Sequence, residues 1–376
     1  MNEIAAFCPI SPEWCADWTA LDERFLWIRA MRGCQQDPVF HGEGDVWTHT
    51  RMVIETLASM DRWRCLSEAD RKILFAAALL HDVAKPLCTR EDNGRIISRG
   101  HSLRGSIEAR RILWELGVGF AAREQICSLI RHHQAPFHLI EHDDAERRTF
   151  LISQTARCDL LSLLARADIT GRICGDMQEV LDKIALFEEL CHEQDCFSQP
   201  WAFPSTHSRF EYFRSENRSP GYAAHEEFRS HVTMMSGLPG AGKDAWIARH
   251  ASGIPVISLD AIRETQQEES TGSQGRVIQA ARKQAREYLR AGKDFIWNAT
   301  NLSREIRSQL IDLFASYRAH IRIVYVETSI EVLFRQNKSR PASVPASAIE
   351  RMLYRWEVPS PIEAQVVEWW IDGRLQ

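Results

Sequence analysis

Apolar residues recur every three to four positions through the first half of the chain. DVWTHTRMVIETLASM, DRKILFAAALLHDVA and LISQTARCDLLSLLARAD each draw one buried stripe along a helix. This period predicts an all-α region from Asp17 to about His192. From about Phe197 to Glu227 no period survives, and Pro, Ser, aromatic and charged residues crowd together, as they do where one domain gives way to another. The rhythm then changes. HVTMMSG, PVISLD, DFIWNAT and IRIVYVET are short β-rich runs, and SQGRVIQAARKQAREYLRAG and SREIRSQLIDLFASYRAH between them carry the helical period. That alternation predicts βαβ units and a parallel sheet, with VVEWWIDG as a last strand. The chain therefore reads as multidomain: an N-terminal all-α helical bundle over residues 1–200, a junction over 201–230 and a C-terminal α/β domain over 231–376.

Composition narrows the classes of function. With 376 residues, 44% hydrophobic and 26% charged, the chain is globular and long enough for separate cores. A net charge of -5 argues against coating a nucleic-acid duplex, although local Lys and Arg clusters would suffice to hold a strand end. No uninterrupted apolar run reaches membrane-span length, and MNEIAAFCPISPEW lacks a basic flank followed by an apolar core. The expectation is a soluble, cytoplasmic protein without a membrane partner. The 10 cysteines form no CxxC pair, so neither a zinc knuckle nor a disulfide framework is indicated.

Histidine and aspartate carry the candidate chemistry of the first half. LLHDVAKP ends an apolar helix with His81 and Asp82 adjacent; His49 lies upstream on another helix. Downstream come His101, the doublet His132 and His133, and Asp168. Imidazole nitrogens and carboxylate oxygens together suit divalent metals, and a carboxylate such as Asp82 can bridge two ions that activate water and clamp phosphoryl oxygens. Asp45, one turn before His49, reads as an N-cap, with metal ligation as the alternative.

In the second half, the strand HVTMM runs into SGLPGAGKDAW, which has the spacing GxxxxGK. Gly237, Gly240, Ala241 and Gly242 would wrap a nucleotide phosphate with backbone N–H groups, and Lys243 would reach the β and γ phosphates. Asp244 stands where Ser or Thr would offer magnesium a hydroxyl, adding negative charge beside polyphosphate. The next strand delivers Asp260 at its carboxyl end, placed to take a proton from an acceptor hydroxyl, with Arg263 one turn on to hold an acceptor phosphate. Arg335 and Arg340 in FRQNKSRPASVP could cover nucleotide phosphates as a lid. Asn298, Thr300 and Asn301 are supporting polar residues.

The ordered set His, His-Asp, His, His-His, Asp resembles the HD phosphohydrolase superfamily over roughly residues 20 to 190. HGEGDVWTHT and RADITGR look like the HD domain of bacterial CCA-adding enzymes, which acts on 2′,3′-cyclic and 2′-phosphates. The resemblance implies that His49, His81, Asp82 and Asp168 ligate one ion. It implies that Asp82, His101 and one member of the His132/His133 doublet hold a second. Adjacent helical residues diverge by about 100°, so one doublet member is expected at the metal, and His132 is preferred. Lys85 follows where related two-metal HD enzymes also place a lysine, and could meet the scissile phosphate; a solvated helix-end lysine is the alternative. The metal would be Mn, Co, Ni, Fe or Zn, most simply as two ions.

The phosphate loop, the Asp260-x-x-Arg263 step, ATNLSRE and RQNKSR...SVP resemble the 5′-kinase module of phage polynucleotide kinase over about residues 231 to 352. By that likeness Asp260 is the general base, Arg263 binds the phosphate 3′ of the terminal nucleoside, and Arg335 and Arg340 contact the phosphates of ATP or another NTP, used with Mg2+. The domain order resembles the bacterial HD-Pnk end-healing enzymes. It implies RNA or DNA termini with 5′-OH and 2′,3′-cyclic or 2′-phosphate ends as partners, with a separate ligase downstream. Two alternatives stand beside this reading: an HD nucleotide phosphohydrolase fused to a small-molecule or nucleoside kinase, and an ATP-gated regulator of the HD domain.

Overall fold

The computed structural model describes residues 2–265, 274–340 and 343–376. The chain divides into two compact units, Met1–Trp201 and Ala202–Gln376. The N-terminal unit is mostly helical and the C-terminal unit is built on a mostly parallel sheet, the two fold classes expected from the change of period. No helix among the described residues is long and apolar enough to cross a membrane.

Six helices carry the first unit: α1 (Val46–Ser59), α2 (Glu68–Leu80), α3 (His101–Glu115), α4 (Phe120–His132), α5 (Cys158–Thr170) and α6 (Met177–Glu193). Asp45 caps α1 by accepting from Thr48 N at 2.8 Å, and Ser67 caps α2 by accepting from Asp70 N at 3.1 Å. The N-cap reading of Asp45 is thus the structural one. Along α1, Val46, Thr50, Val53, Ile54, Leu57 and Ala58 are buried, and His49 lies on the same stripe. A polar imbalance is therefore built into the core face. In α2 every residue from Leu74 to Leu80 is buried, so the helix delivers His81 and Asp82, which follow directly, to the interior. Asp168 arrives the same way, on the buried face of α5.

In the second unit, α7 (Thr206–Arg214) precedes β1 (Ser230–Ser236), and α8 (Lys243–His250) leaves the phosphate loop. Then follow β2 (Val256–Ser258), α9 (Leu259–Thr265), α10 (Gln274–Arg290), β3 (Phe295–Asn298) and α11 (Arg304–Ala315). The remainder is β4 (Ala319–Glu327), α12 (Ile330–Ser339), α13 (Ala346–Leu353), β5 (Val366–Ile371) and β6 (Arg374–Leu375). Strand order is β2-β3-β1-β4-β5-β6, parallel throughout except for the β5–β6 hairpin. Val232, Met234, Ile257, Phe295, Trp297, Ile321 and Ile323 form the core with Phe314 of α11. Ser273, with which the predicted helix before Arg290 begins, lies outside the described residues.

The stretch 201–230 differs from its reading as a junction. From Ala202 it belongs to the second unit, and α7 inserts Phe210 into the sheet core. The residues that α7 buries are Ser208, Phe210 and Tyr212, spaced by two, so the helix leaves no helical period in the sequence.

Candidate functional site

The first site gathers where α1, α2, α3, α4 and α5 bring His49, His81–Asp82, His101, His133 and Asp168 together in the interior. Three of the imidazoles are fixed alike. His81 Nδ1 donates to Ala78 O at 2.7 Å, His101 Nδ1 to Ser98 O at 2.8 Å and His133 Nδ1 to Ile130 O at 2.8 Å. Each bond places the proton on Nδ1 and turns the Nε2 lone pair inward. As a result His81 Nε2 faces His49 Nε2 at 3.3 Å, and His101 Nε2 faces His133 Nε2 at 3.4 Å.

Asp82 sits between these two pairs. Its Oδ2 is 3.1 Å from His81 Nε2 and 3.8 Å from His49 Nε2, and its Oδ1 is 3.4 Å from His101 Nε2. Asp168 Oδ1 lies 3.1 Å from His49 Nε2 and accepts from Arg172 Nη2 at 2.7 Å. Neither Asp82 oxygen nor Asp168 Oδ2 receives a directed hydrogen bond among the described residues, although Lys85 Nζ makes an ion pair with Asp82 Oδ2 at 2.7 Å. Facing lone pairs beside buried, undonated carboxylate oxygens call for positive charge between them. The donor set fits divalent metal, with His49, His81, Asp82 and Asp168 on one side and Asp82, His101 and His133 on the other.

Except at His81, the electrostatics agree with a ligand set. Burial pushes the Asp82 carboxyl up, but His81, Lys85 and His101 outweigh it and hold it well below the usual carboxylate range. Asp168 is likewise raised by burial and brought well below by Arg172, His49 and His81. Burial, aided by the neighbouring His101 and His81, lowers His133 to about 3, and burial also lowers His101 despite Asp82. For His81 the attraction of Asp82 and Asp168 overcomes burial and raises it. Ionised carboxylates and neutral imidazoles are the forms that bind metal.

His133, not the preferred His132, enters this cluster. His132 is the last residue of α4 and is partly exposed, whereas His133 is the cap beyond it and is buried. Lys85 is 4% exposed, so the solvated alternative does not hold; its ammonium also donates to Gln36 Oε1 at 2.6 Å. Three participants were missed. Glu43 Oε1 lies 2.8 Å from His41 Nδ1 and 3.0 Å from His49 Nδ1, the latter off the N–H axis. Arg172 pins Asp168, and Gln36 holds Lys85. A usable signal existed for Arg172, four residues after Asp168 and just past the end of α5, and for Glu43 only its place in HGEGD.

The second site lies at the carboxyl ends of β1, β2 and β3, where ligands of open parallel sheets bind. Gly237 has φ 142°, and a Cβ there would fall 2.3 Å from Val326 O; at Gly240, φ 81°, it would fall 2.8 Å from Leu333 O. Side chains are excluded where the backbone must wrap. Gly237 N donates to Thr300 O at 2.9 Å and Asn301 Nδ2 to Met235 O at 2.7 Å, so the β3 exit backs the loop. Lys243 Nζ donates to Gly237 O and Leu238 O, both at 2.9 Å. Burial lowers its pKa to about 8, with Asp244 opposing. Asp244 Oδ1 accepts from Asn298 Nδ2 at 2.8 Å. Asp260 Oδ1 accepts from Arg263 Nη1 at 2.8 Å, and Arg340 Nη2 stands 3.8 Å from Asp260 and 4.0 Å from Asp244. Arg340 thus joins Asp244 of the loop to the Asp260–Arg263 pair. Arg335 is exposed on α12, and no ion pair joins it to this group among the described residues. Pro341 and Ala342 of the expected lid turn lie outside the described residues.

Comparison with known proteins separates the same two units. The HD-domain family model matches residues 46–172, and the AAA-domain family model matches residues 232–359. The bifunctional uridylyltransferase/uridylyl-removing enzyme of Nitrobacter winogradskyi is 30% identical over 194 residues, covering 50% of this chain and 18% of that protein. The multifunctional CCA protein of Halorhodospira halophila is 33% identical over 114 residues, covering 30% and 25%; the CC-adding tRNA nucleotidyltransferase of Thermus thermophilus is 35% identical over 116 residues, covering 30% and 26%. The chain spans about a quarter or less of the length of these relatives. A solved structure from Chloroflexus aurantiacus, 18% identical and covering 39% of this chain and 87% of its own, superposes with a TM-score of 0.34, too low to bear on function. This protein carries an HD domain followed, in the same chain, by an AAA-type P-loop domain.

Proposed function

We propose that the protein heals broken nucleic-acid ends: the HD domain removes a 2′,3′-cyclic or terminal 2′-phosphate, and the P-loop domain phosphorylates the 5′-OH end with ATP and Mg2+. The observation that carries the reading is the pairing of an imidazole-flanked carboxylate, Asp82, with the Asp260–Arg263–Arg340 group beside the phosphate loop. The first suits hydrolysis of a phosphoester and the second suits transfer of a phosphoryl group to a hydroxyl.

In the HD site, bound divalent ions would supply a nucleophile from water and charge for the phosphoryl oxygens. Asp82 would bridge, His49, His81, His101, His133 and Asp168 would complete the ligand set, and the ammonium of Lys85 would meet a phosphate oxygen. In the P-loop site, the loop amides and Lys243 would hold ATP, Arg340 would neutralise its phosphates, and Asp260 would orient the acceptor hydroxyl and take its proton while Arg263 holds the neighbouring phosphate. The names of the relatives, a uridylyltransferase/uridylyl-removing enzyme, a CCA protein and a CC-adding tRNA nucleotidyltransferase, support a phosphoester of a nucleotide as the HD substrate.

A second reading has one observation in its favour: a net charge of -5 offers no broad basic surface, as a small phosphorylated nucleoside acceptor would require none. One experiment separates the two. The protein is given ATP, Mg2+ and a series of Mn, Co, Ni, Fe and Zn salts with an oligonucleotide bearing 5′-OH and 2′,3′-cyclic phosphate, and both ends are mapped beside free nucleosides. Conversion at both ends is expected, with Asp260→Asn slowing the 5′ reaction by roughly 10² to 10⁴. Phosphorylation of free nucleosides alone would favour the small-molecule kinase, and ATP binding without transfer would favour a regulatory domain.

A further inference from the structure

We propose that Glu43 is a positioning residue for His49, and that it governs the ion position on the Oδ2 side of Asp82 without governing the one on the Oδ1 side. The inference rests on the metal reading of the HD site. It starts from an asymmetry among the four imidazoles. His81 and His133 stand just past the ends of α2 and α4, where helix carbonyls are left without partners, and His101 opens α3; each gives its Nδ1 proton to a carbonyl three residues upstream. His49 has no such carbonyl. It lies inside the first turns of α1, where Asp45 O accepts from His49 N at 3.0 Å and Val46 O accepts from Thr50 Oγ1 at 2.8 Å. Its Nδ1 is met instead by the carboxylate of Glu43, at 3.0 Å but off the N–H axis.

Glu43 is itself held from three directions. Its side chain is 1% exposed; Oε1 accepts from His41 Nδ1 at 2.8 Å and Oε2 from Ile173 N at 2.9 Å. Gly42 N donates to Ile173 O at 2.8 Å, so the loop before α1 is clasped to the residue after Arg172. The same clasp therefore serves both His49 and, through Arg172, Asp168. These two ligands belong to one side of Asp82. His101 and His133 on the other side make no use of it. A carboxylate on the outer nitrogen fixes the tautomer of a metal-binding imidazole and raises its basicity, and losing such a partner costs typically about 10- to 100-fold in metal affinity.

The test is metal stoichiometry and affinity of the full-length protein for Mn2+, by calorimetry and elemental analysis, in wild type, Glu43→Ala and His101→Ala. Wild type is expected to bind two ions. Glu43→Ala is expected to bind one ion as wild type does and the other roughly 10- to 100-fold more weakly, and His101→Ala to weaken the ion that Glu43→Ala spares. Far-UV circular dichroism of the helical N-terminal unit, which holds both substituted positions, reports that each variant is folded. Glu43→Gln gives the same readout should the alanine variant not fold, because in either orientation its N–H2 is set against an N–H, that of Ile173 or those of the two imidazoles, and it cannot serve all three partners. Two ions at wild-type affinity in Glu43→Ala, or equal weakening of both, would overturn the proposal while leaving the metal reading intact. A wild type that binds no divalent ion would overturn both.

Discussion

Acidifying the metal-free protein from pH 6.5 to 5 should destabilise its N-terminal unit by about 3 kcal/mol through His133 and His41, with His101 and His138, also lowered by burial, acting in the same direction. His133 is held near 3 and His41 near 4, in each case chiefly by burial, against 6.5 in an unfolded chain. As the pH falls through 6.5 the unfolded chain takes up both protons while the native one refuses them, so stability declines until the pH approaches the native values. Each group contributes roughly 1.6 kcal/mol over this interval. His81 acts oppositely: its raised value contributes stability that is fully present below about 6.5 and is lost as pH rises through the native value, so it offsets only a few tenths here. Asp82 and Asp168 are held low, so their contribution is lost only at pH values below the ordinary carboxylate range. Against a typical stability of about 5–15 kcal/mol the loss is large. Urea unfolding with a chelator present, followed by far-UV circular dichroism of the helical unit, should show the midpoint falling by roughly 1 to 2 M. His133→Gln should remove roughly 1.6 kcal/mol of the loss. A midpoint that stays level between pH 6.5 and 5 would refute the neutral, buried state assigned to these rings.

Other outcomes follow from single residues. Asp82→Asn should remove the charge shared by both sides of the HD cluster and abolish phosphoesterase activity while ATP-dependent phosphorylation, assayed in the same preparation, persists. Arg263→Ala should slow phosphorylation most for acceptors with a phosphate just 3′ of the target nucleoside; equal slowing with and without it would contradict the contact. Gly240→Ala should disturb the phosphate loop, because its Cβ would meet Leu333 O at 2.8 Å with φ at 81°, so nucleotide affinity measured by fluorescence titration should fall while HD activity is unchanged.

Much of this arrangement could be read from the sequence, and the failures have physical causes. The strands of the sheet and the helices of the first unit were legible because their periods differ by nearly a factor of two. The helix α7 was not, since its buried residues fall at spacing two. The choice between His132 and His133 turned on helix rotation. Ile126, Leu129 and Ile130 mark the buried face of α4, and His133 continues it at spacings of seven, four and three. Reading that stripe past the end of the helix would have selected His133. Glu43 and Gln36 escaped for a different reason, whereas Arg172 was legible from its i,i+4 spacing to Asp168. Glu43 and Gln36 each act only through a neighbour supplied by another segment or the next turn, and no residue type announces such a partnership.

Asp244 shows how a departure from a motif is resolved in three dimensions. Along the chain it only adds negative charge where a nucleotide phosphate must lie. In the fold its carboxylate is held by Asn298, and Arg340 stands between it and Asp260. With Arg263 on Asp260 and Lys243 across the loop, three cations face two carboxylates. Burial lowers Lys243, and Asp244 opposes that shift, so the aspartate favours the charged form of the lysine. The aspartate therefore does not forfeit the attraction that a phosphate loop requires. It ties the loop electrostatically to Arg340, which also stands 3.8 Å from Asp260, and an arriving polyphosphate would compete for that same guanidinium.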